Sequence, residues 1–146
     1  MTPTRTRAER RIDADPTSTA LLLAGPSALE LWPGVRRLGE VGGRVLVVVD
    51  EPTTAASVTA RPPRRTPTAY VTRFAWTGPD LPVTEGVLTL RYGPHAADRG
   101  TPSTHAELVL DSTGLADSRL DQAALTLMAT GFLANLGRAA ESRRAA

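Results

Sequence analysis

The chain has 146 residues and a formal net charge of +2, with 41% hydrophobic, 22% charged and only 4% aromatic residues. A chain of this length fits one domain with room for a real core and an internal pocket. It has no cysteine and no lysine, so disulfides, thiolate chemistry and lysine Schiff bases are excluded, and all 17 basic residues are arginines.

No apolar run reaches the roughly 18 residues needed to span a bilayer. The start, MTPTRTRAERR, lacks the apolar stretch of a secretory signal. A cytoplasmic protein, monomer or homodimer, with no membrane span is expected. The arginines form two clusters, Arg5, Arg7, Arg10 and Arg11 at the start and Arg61, Arg64 and Arg65 in a proline-rich segment. Neither is interleaved with aromatics that stack on bases, so a solvated arm and hairpin tip are expected rather than a nucleic-acid surface.

Residues 1–8 are polar and read as a disordered arm ahead of a single domain over 9–146. Arg10 to Ala14 reads as a short first strand. Asp15-Pro16 then starts a helix, because the aspartate accepts free amides at the N-cap and proline has its φ preset for the first turn. Gly25-Pro26 ends it after Leu21, Leu22 and Leu23. A second short helix, about 27–31, runs into the turn Trp32-Pro33-Gly34.

From Val35 the chain changes to strands and turns. Val35–Val41 and Arg44–Asp50 flank Gly42-Gly43, a hairpin signal that tolerates positive φ. Ser57–Arg61 and Thr68–Trp76 flank a segment whose prolines argue against ladder pairing. Gly86–Tyr92 and Ser103–Leu110 flank a long loop. Alternation turns Tyr70, Thr72, Phe74 and Trp76 to one face, with Leu88, Leu90 and Tyr92, and with Ala106, Leu108 and Leu110. Arg73, Arg91, His105 and Glu107 fall on the other face as a polar ladder.

Ser118 to Arg144 reads as one amphipathic helix of about 40 Å, opened by Ser118 and Asp121 as a capping box. Leu125, Met128, Ala129, Phe132, Leu133, Leu136, Ala139 and Ala140 share its apolar arc. Thr126, Thr130, Gly137, Glu141 and Arg144 share the polar one. Gly131 and Gly137 each cost about 1 kcal/mol against alanine in a helix, so a close approach or a ligand clearance is expected at them.

This order, one strand, two short helices, six strands and a long helix, resembles the helix-grip fold of the START/Bet v 1-like (SRPBCC) superfamily, especially its bacterial polyketide cyclase/dehydrase-like members. The resemblance rests on Arg11 to Ala14 with Asp15-Pro16, on Leu31-Trp32-Pro33-Gly34-Val35, and on Gly131-Phe132-Leu133-Ala134-Asn135-Leu136 with Arg138-Ala139-Ala140-Glu141. It implies an α+β fold in which a curved antiparallel sheet of about seven strands wraps the C-terminal helix. It also implies a hydrophobic ligand held between sheet and helix, by a carrier, a sensor or a cyclase. No catalytic motif is shared across the superfamily, so no catalytic residue follows.

The expected lining is Trp32, Tyr70, Thr72, Phe74, Trp76, Leu90 and Tyr92 from the sheet side, facing Leu125, Met128 and Phe132. Tyr70 and Tyr92 are either hydrogen-bond donors to a ligand or core aromatics with hydroxyls at the rim. Trp32 either lines the entrance or staples the short helices to the sheet. His105 and Glu107 share a strand face, but two ligands do not make a zinc site, and His95 lies in another loop. No Gly-x-Ser-x-Gly elbow and no phosphate loop is present. No metal and no cofactor is expected. A hydrophobic-ligand binder is the leading reading, ahead of a cyclase/dehydrase and of a module docking an anionic partner on the arginine-rich hairpin.

Overall fold

The computed structural model describes residues 4–24, 26–42, 44–50, 53–78, 81–93, 103–113 and 122–145. In chain order the elements are β1 (Thr4–Ile12), α1 (Pro16–Ala24), a 3₁₀ helix (Pro26–Leu31), β2 (Val35–Val41), β3 (Arg44–Asp50), β4 (Thr53–Ala60), the two-residue β5 (Arg64–Arg65), β6 (Ala69–Gly78), β7 (Leu81–Tyr92), β8 (Thr104–Thr113) and α2 (Gln122–Ala145). The strands form one curved antiparallel sheet in the order β1-β8-β7-β6-β4-β3-β2, with β5 beside β6. The architecture is α+β and helix-grip-like. No described helix is long and apolar enough to cross a membrane.

The first strand is longer than its composition suggests. β1 starts at Thr4, inside the stretch expected to be a disordered arm, and pairs with β8 from Thr4↔Ser112 to Ile12↔Thr104. Its inward positions include buried Thr6 and Ile12, while Arg5, Arg7 and Glu9 point outward toward charged partners on β8. The residues are polar because one face of an edge strand is solvated.

Pairing also extends into the proline-rich segment. Arg64 and Arg65 sit between the prolines with their own amides intact and pair with Val71 and Tyr70. Prolines block only their own positions in a ladder.

The junction after β1 follows the cap logic. Ser18 N donates to Asp15 Oδ1 at 3.2 Å, and Thr19 N donates to Asp15 O at 3.1 Å. Thr104 Oγ1 donates to Ala14 O at 2.6 Å, which fastens this corner to β8. At the next corner Val35 N donates to Trp32 O at 3.3 Å, and Gly34 has φ 69°. That is a turn with proline at its second position and glycine at the third, where positive φ is required.

α2 lies across the inner face. Leu125, Ala129, Phe132, Leu133, Leu136 and Ala140 are buried with Ile12, Leu88, Leu108 and Leu110 of the sheet. Gly137, expected on the polar arc, is also buried. A Cβ there would stand 2.8 Å from Arg10 Nε, and one on Gly131 would stand 2.4 Å from Pro33 Cγ. Both glycines therefore let α2 approach other segments closely. The proposed capping residues Ser118 and Asp121 lie outside the described residues.

Candidate functional site

The concave face carries an aromatic cage. Alternation along β6 turns Thr72, Phe74 and Trp76 toward α2, and α2 brings Phe132 to meet them. Trp32, delivered by the turn before β2, fills the middle. Its ring centroid lies 4.3 Å from that of Phe132 in a stacked arrangement. It lies 5.2 Å from Phe74 and 5.3 Å from Trp76, edge-on to both. Offset-stacked and T-shaped contacts of this kind are worth about 0.5–1.5 kcal/mol beyond area burial.

Phe74 owes its position to a missing side chain. Gly86 stands opposite it on β7, and a Cβ on Gly86 would lie 2.1 Å from Phe74 Cζ. The ring therefore lies over the glycine backbone.

Beside the cage is a cavity of about 40 Å³ bounded by Leu23, Leu29, Trp32, Thr72, Phe74 and Phe132, among others. This has room for a water or two, whereas pockets for drug-sized ligands run to about 300–1,000 Å³. Among the described residues the inner face beside this cavity is closely packed, with the Trp32 ring in contact with Phe74, Trp76 and Phe132.

Two polar atoms in this region have no hydrogen-bond partner among the described residues: Thr72 Oγ1 and Trp76 Nε1, on side chains 7% and 5% exposed. A buried donor without an acceptor costs about 1–3 kcal/mol. Thr72 borders the cavity, and the Trp76 ring meets the Trp32 ring edge-on with centroids 5.3 Å apart.

The remaining expected lining residues separate into three groups. Leu90 and Leu125 are buried in the core but do not border the cavity, and Met128 is half-buried against that core. The Tyr70 hydroxyl is engaged with Thr17 Oγ1 at 3.0 Å, so it ties α1 to the sheet. Tyr92 has the inward parity but is 54% exposed, because it stands at the last residue of β7. Sequence reasoning missed Leu23 and Leu29 as cavity walls. Three consecutive leucines carry no facing signal of their own, and here Leu21 is exposed while Leu23 turns inward.

The segment that carries Trp32 is anchored on both sides. Asn135 Nδ2 donates to Leu31 O at 2.7 Å, and Pro33 seats on the bare backbone of Gly131.

The outer face is chemically different. Arg5 Nε donates to Asp111 Oδ1 at 2.8 Å, and Arg7 Nη2 reaches Glu107 Oε2 at 2.6 Å and Glu9 Oε1 at 2.5 Å. The hydrogen bond from Arg7 holds the Glu107 carboxyl below its ordinary pKa, against an opposing push from partial desolvation. His105 Nε2 lies 3.7 Å from Glu9 Oε1. Pairing of β1 with β8 thus adds Glu9 to His105 and Glu107, a three-ligand grouping not visible from spacing. The Arg7 guanidinium already bridges its two carboxylates. Arg73 does not join this ladder. It lies across from Val87 beside a larger depression of about 380 Å³, with Arg61, Glu85 and Asp111. That depression mixes both signs of charge and contains neither orphaned donor, so the smaller inner cavity is the better candidate.

No protein-family model matches the sequence, and no curated protein matches it. Solved structures do. One is the protein XoxI from Bacillus cereus, 15% identical with a TM-score of 0.65 over 97% of this chain and 98% of that one. Another is a START superfamily protein from Mycobacterium smegmatis, 12% identical with a TM-score of 0.61 over 95% of each chain. A third is the di-domain ARO/CYC StfQ from the steffimycin biosynthetic pathway, 14% identical with a TM-score of 0.56, where 99% of this chain covers 53% of that one. At these identities the likeness concerns the fold.

Proposed function

The chain has a START-like fold, and on that premise we propose that it binds a hydrophobic small molecule on the concave face, between β6 and α2. The observation that carries this reading is the pair of orphaned donors, Thr72 Oγ1 and Trp76 Nε1, in an otherwise apolar and aromatic setting. Ligand sites of this type are mostly apolar, with a few polar groups that orient the ligand. Burial without partners is costly in the free protein, and a ligand that supplies acceptors removes the cost.

A binder is favoured over a cyclase or dehydrase. Among the described residues bordering the cavity, Thr72 is the only one with a side-chain heteroatom besides the indole of Trp32. Neither provides a general acid or base near neutral pH. The two tyrosines that would serve an oxyanion lie elsewhere, Tyr70 bound to Thr17 and Tyr92 at the surface.

Native mass spectrometry of the purified chain tests this reading. The expected result is a non-covalent adduct in the small-molecule range that is released on denaturation. A bare chain that also fails to take up added apolar compounds contradicts it.

A further inference from the structure

The cage and the cavity differ in what fills them. The cavity holds about 40 Å³, yet the space enclosed by Phe74, Trp76 and Phe132 is far larger, because an entire indole occupies it. That indole belongs to Trp32, which is 5% exposed. Its backbone is held where it is: Leu31 O accepts from Asn135, Trp32 N donates to Leu29 O, Trp32 O accepts from Val35 N, and Pro33 rests on Gly131. The side chain is joined to this fixed segment by two rotatable bonds. With the backbone anchored in this way, the ring leaves the cage by rotation about these two bonds.

Resting on the binding reading above, we infer that the Trp32 indole is a resident occupant of the ligand site. A ligand takes its place by turning the ring out of the cage. The entering part of the ligand has the features of what it replaces. It is flat, so as to stack on Phe132 and meet the edges of Phe74 and Trp76, and about the size of a fused two-ring system. It also carries a hydrogen-bond acceptor, which Trp32 does not offer to Thr72 Oγ1 or Trp76 Nε1. A saturated chain fills the same space without the ring contacts.

Displacement makes a quantitative statement. The wild-type apparent affinity is the intrinsic affinity reduced by the fraction of molecules with the ring already out, a minor state of about 0.1–10%. Removing the ring removes that penalty.

The test uses three probes, an acyl-naphthalene ketone, naphthalene and decanoate, with wild type, Trp32→Ala, Trp32→Leu and Thr72→Val. Trp32→Leu keeps an apolar side chain in the cage and serves if Trp32→Ala does not fold. The expected result is that the ketone binds Trp32→Ala on the order of 10- to 1,000-fold more tightly than wild type, and Trp32→Leu more tightly by a smaller factor, while decanoate gains less. Binding of the ketone to wild type shifts the Phe132 ring protons as the stacked indole leaves. Thr72→Val lowers the preference for ketone over naphthalene.

Equal affinity of wild type and the Trp32 variants for the ketone overturns the inference, as does a bound ring with the Trp32–Phe132 stack intact. If the probes bind but neither the ketone nor decanoate distinguishes wild type from the Trp32 variants, the occupant role of Trp32 is wrong while the binding reading stands. If no probe binds any of them, both fall.

Discussion

The two faces of the sheet solve the same problem in opposite ways. On the outer face, polar side chains satisfy one another: Arg5 with Asp111, and Arg7 with Glu9 and Glu107. On the inner face, Thr72 and Trp76 place donors among apolar side chains with no described partner. The outer groups are solvated and gain little from pairing. The inner ones carry an unmet cost that only another molecule or a rearrangement removes. Thr6 Oγ1 on β1 is also without a partner, but only Thr72 and Trp76 combine that with the aromatic cage, and the combination, more than the larger depression on the outer face, points to the site.

The largest effect that can sharpen this contrast comes from Trp32→Ala. Losing a buried indole from the cage should destabilise the free protein by about 3–5 kcal/mol in denaturant titrations. A loss below about 1 kcal/mol would mean that the ring is not the filler of the inner face. Gly131→Ala should cost about 1–3 kcal/mol, because the new methyl meets the rigid ring of Pro33. Gly137→Ala should stay within about 1 kcal/mol of wild type, since the group in the way is the flexible end of Arg10 and alanine favours the helix.

Thr72→Val separates stability from binding. Replacing an orphaned hydroxyl by a methyl of similar shape should raise thermal stability, by about 1 kcal/mol, and weaken binding of an acceptor-bearing ligand. A stability loss would show that the hydroxyl has a partner in the free protein.

The smallest effects belong to the outer face. Glu107→Gln should cost less than about 1 kcal/mol, and less still at high salt. Its pH dependence has a definite sign. The Glu107 carboxyl is held below its ordinary pKa in the folded state by Arg7. Its contribution is therefore complete above the unfolded-state value and lost as pH falls through the lower, folded value. Stability curves of wild type and Glu107→Gln should be separated near neutral pH and draw together as pH falls below the ordinary carboxylate range. Curves that diverge on acidification would contradict this.

Much of the architecture is legible in the chain. Alternation in β6 and β8 puts Thr72, Trp76, Ala106, Leu108 and Leu110 on the buried face. The Asp15-Pro16 start and the Gly34 turn are local chemistry and read directly. The first part of β1, ahead of the strand expected from Arg10, was hidden because its inward residues, Thr4, Thr6 and Ala8, are small or polar and its pairing partner lies about a hundred residues away. The grouping of Glu9 with His105 and Glu107 was hidden for the same reason.

The cage itself was half-visible. Phe74, Trp76 and Phe132 follow from face assignment and Trp32 from its turn, as an entrance residue or a staple, but whether the four enclose a space or fill it depends on side-chain volumes in three dimensions. Tyr92 shows the limit of parity. It points the right way from a strand end that the core does not reach.

Trp76 Nε1 is without a partner among the described residues and its ring touches Trp32, and the chain has only two tryptophans. Indole N–H resonances in a proton–nitrogen NMR spectrum, assigned with Trp32→Phe, can therefore be followed individually while the acyl-naphthalene ketone is added. The Trp76 Nε1–H signal should move downfield and slow its hydrogen exchange as it gains an acceptor, while the Trp32 signal moves as its ring leaves Phe132. Both signals unmoved at saturating ketone would contradict this.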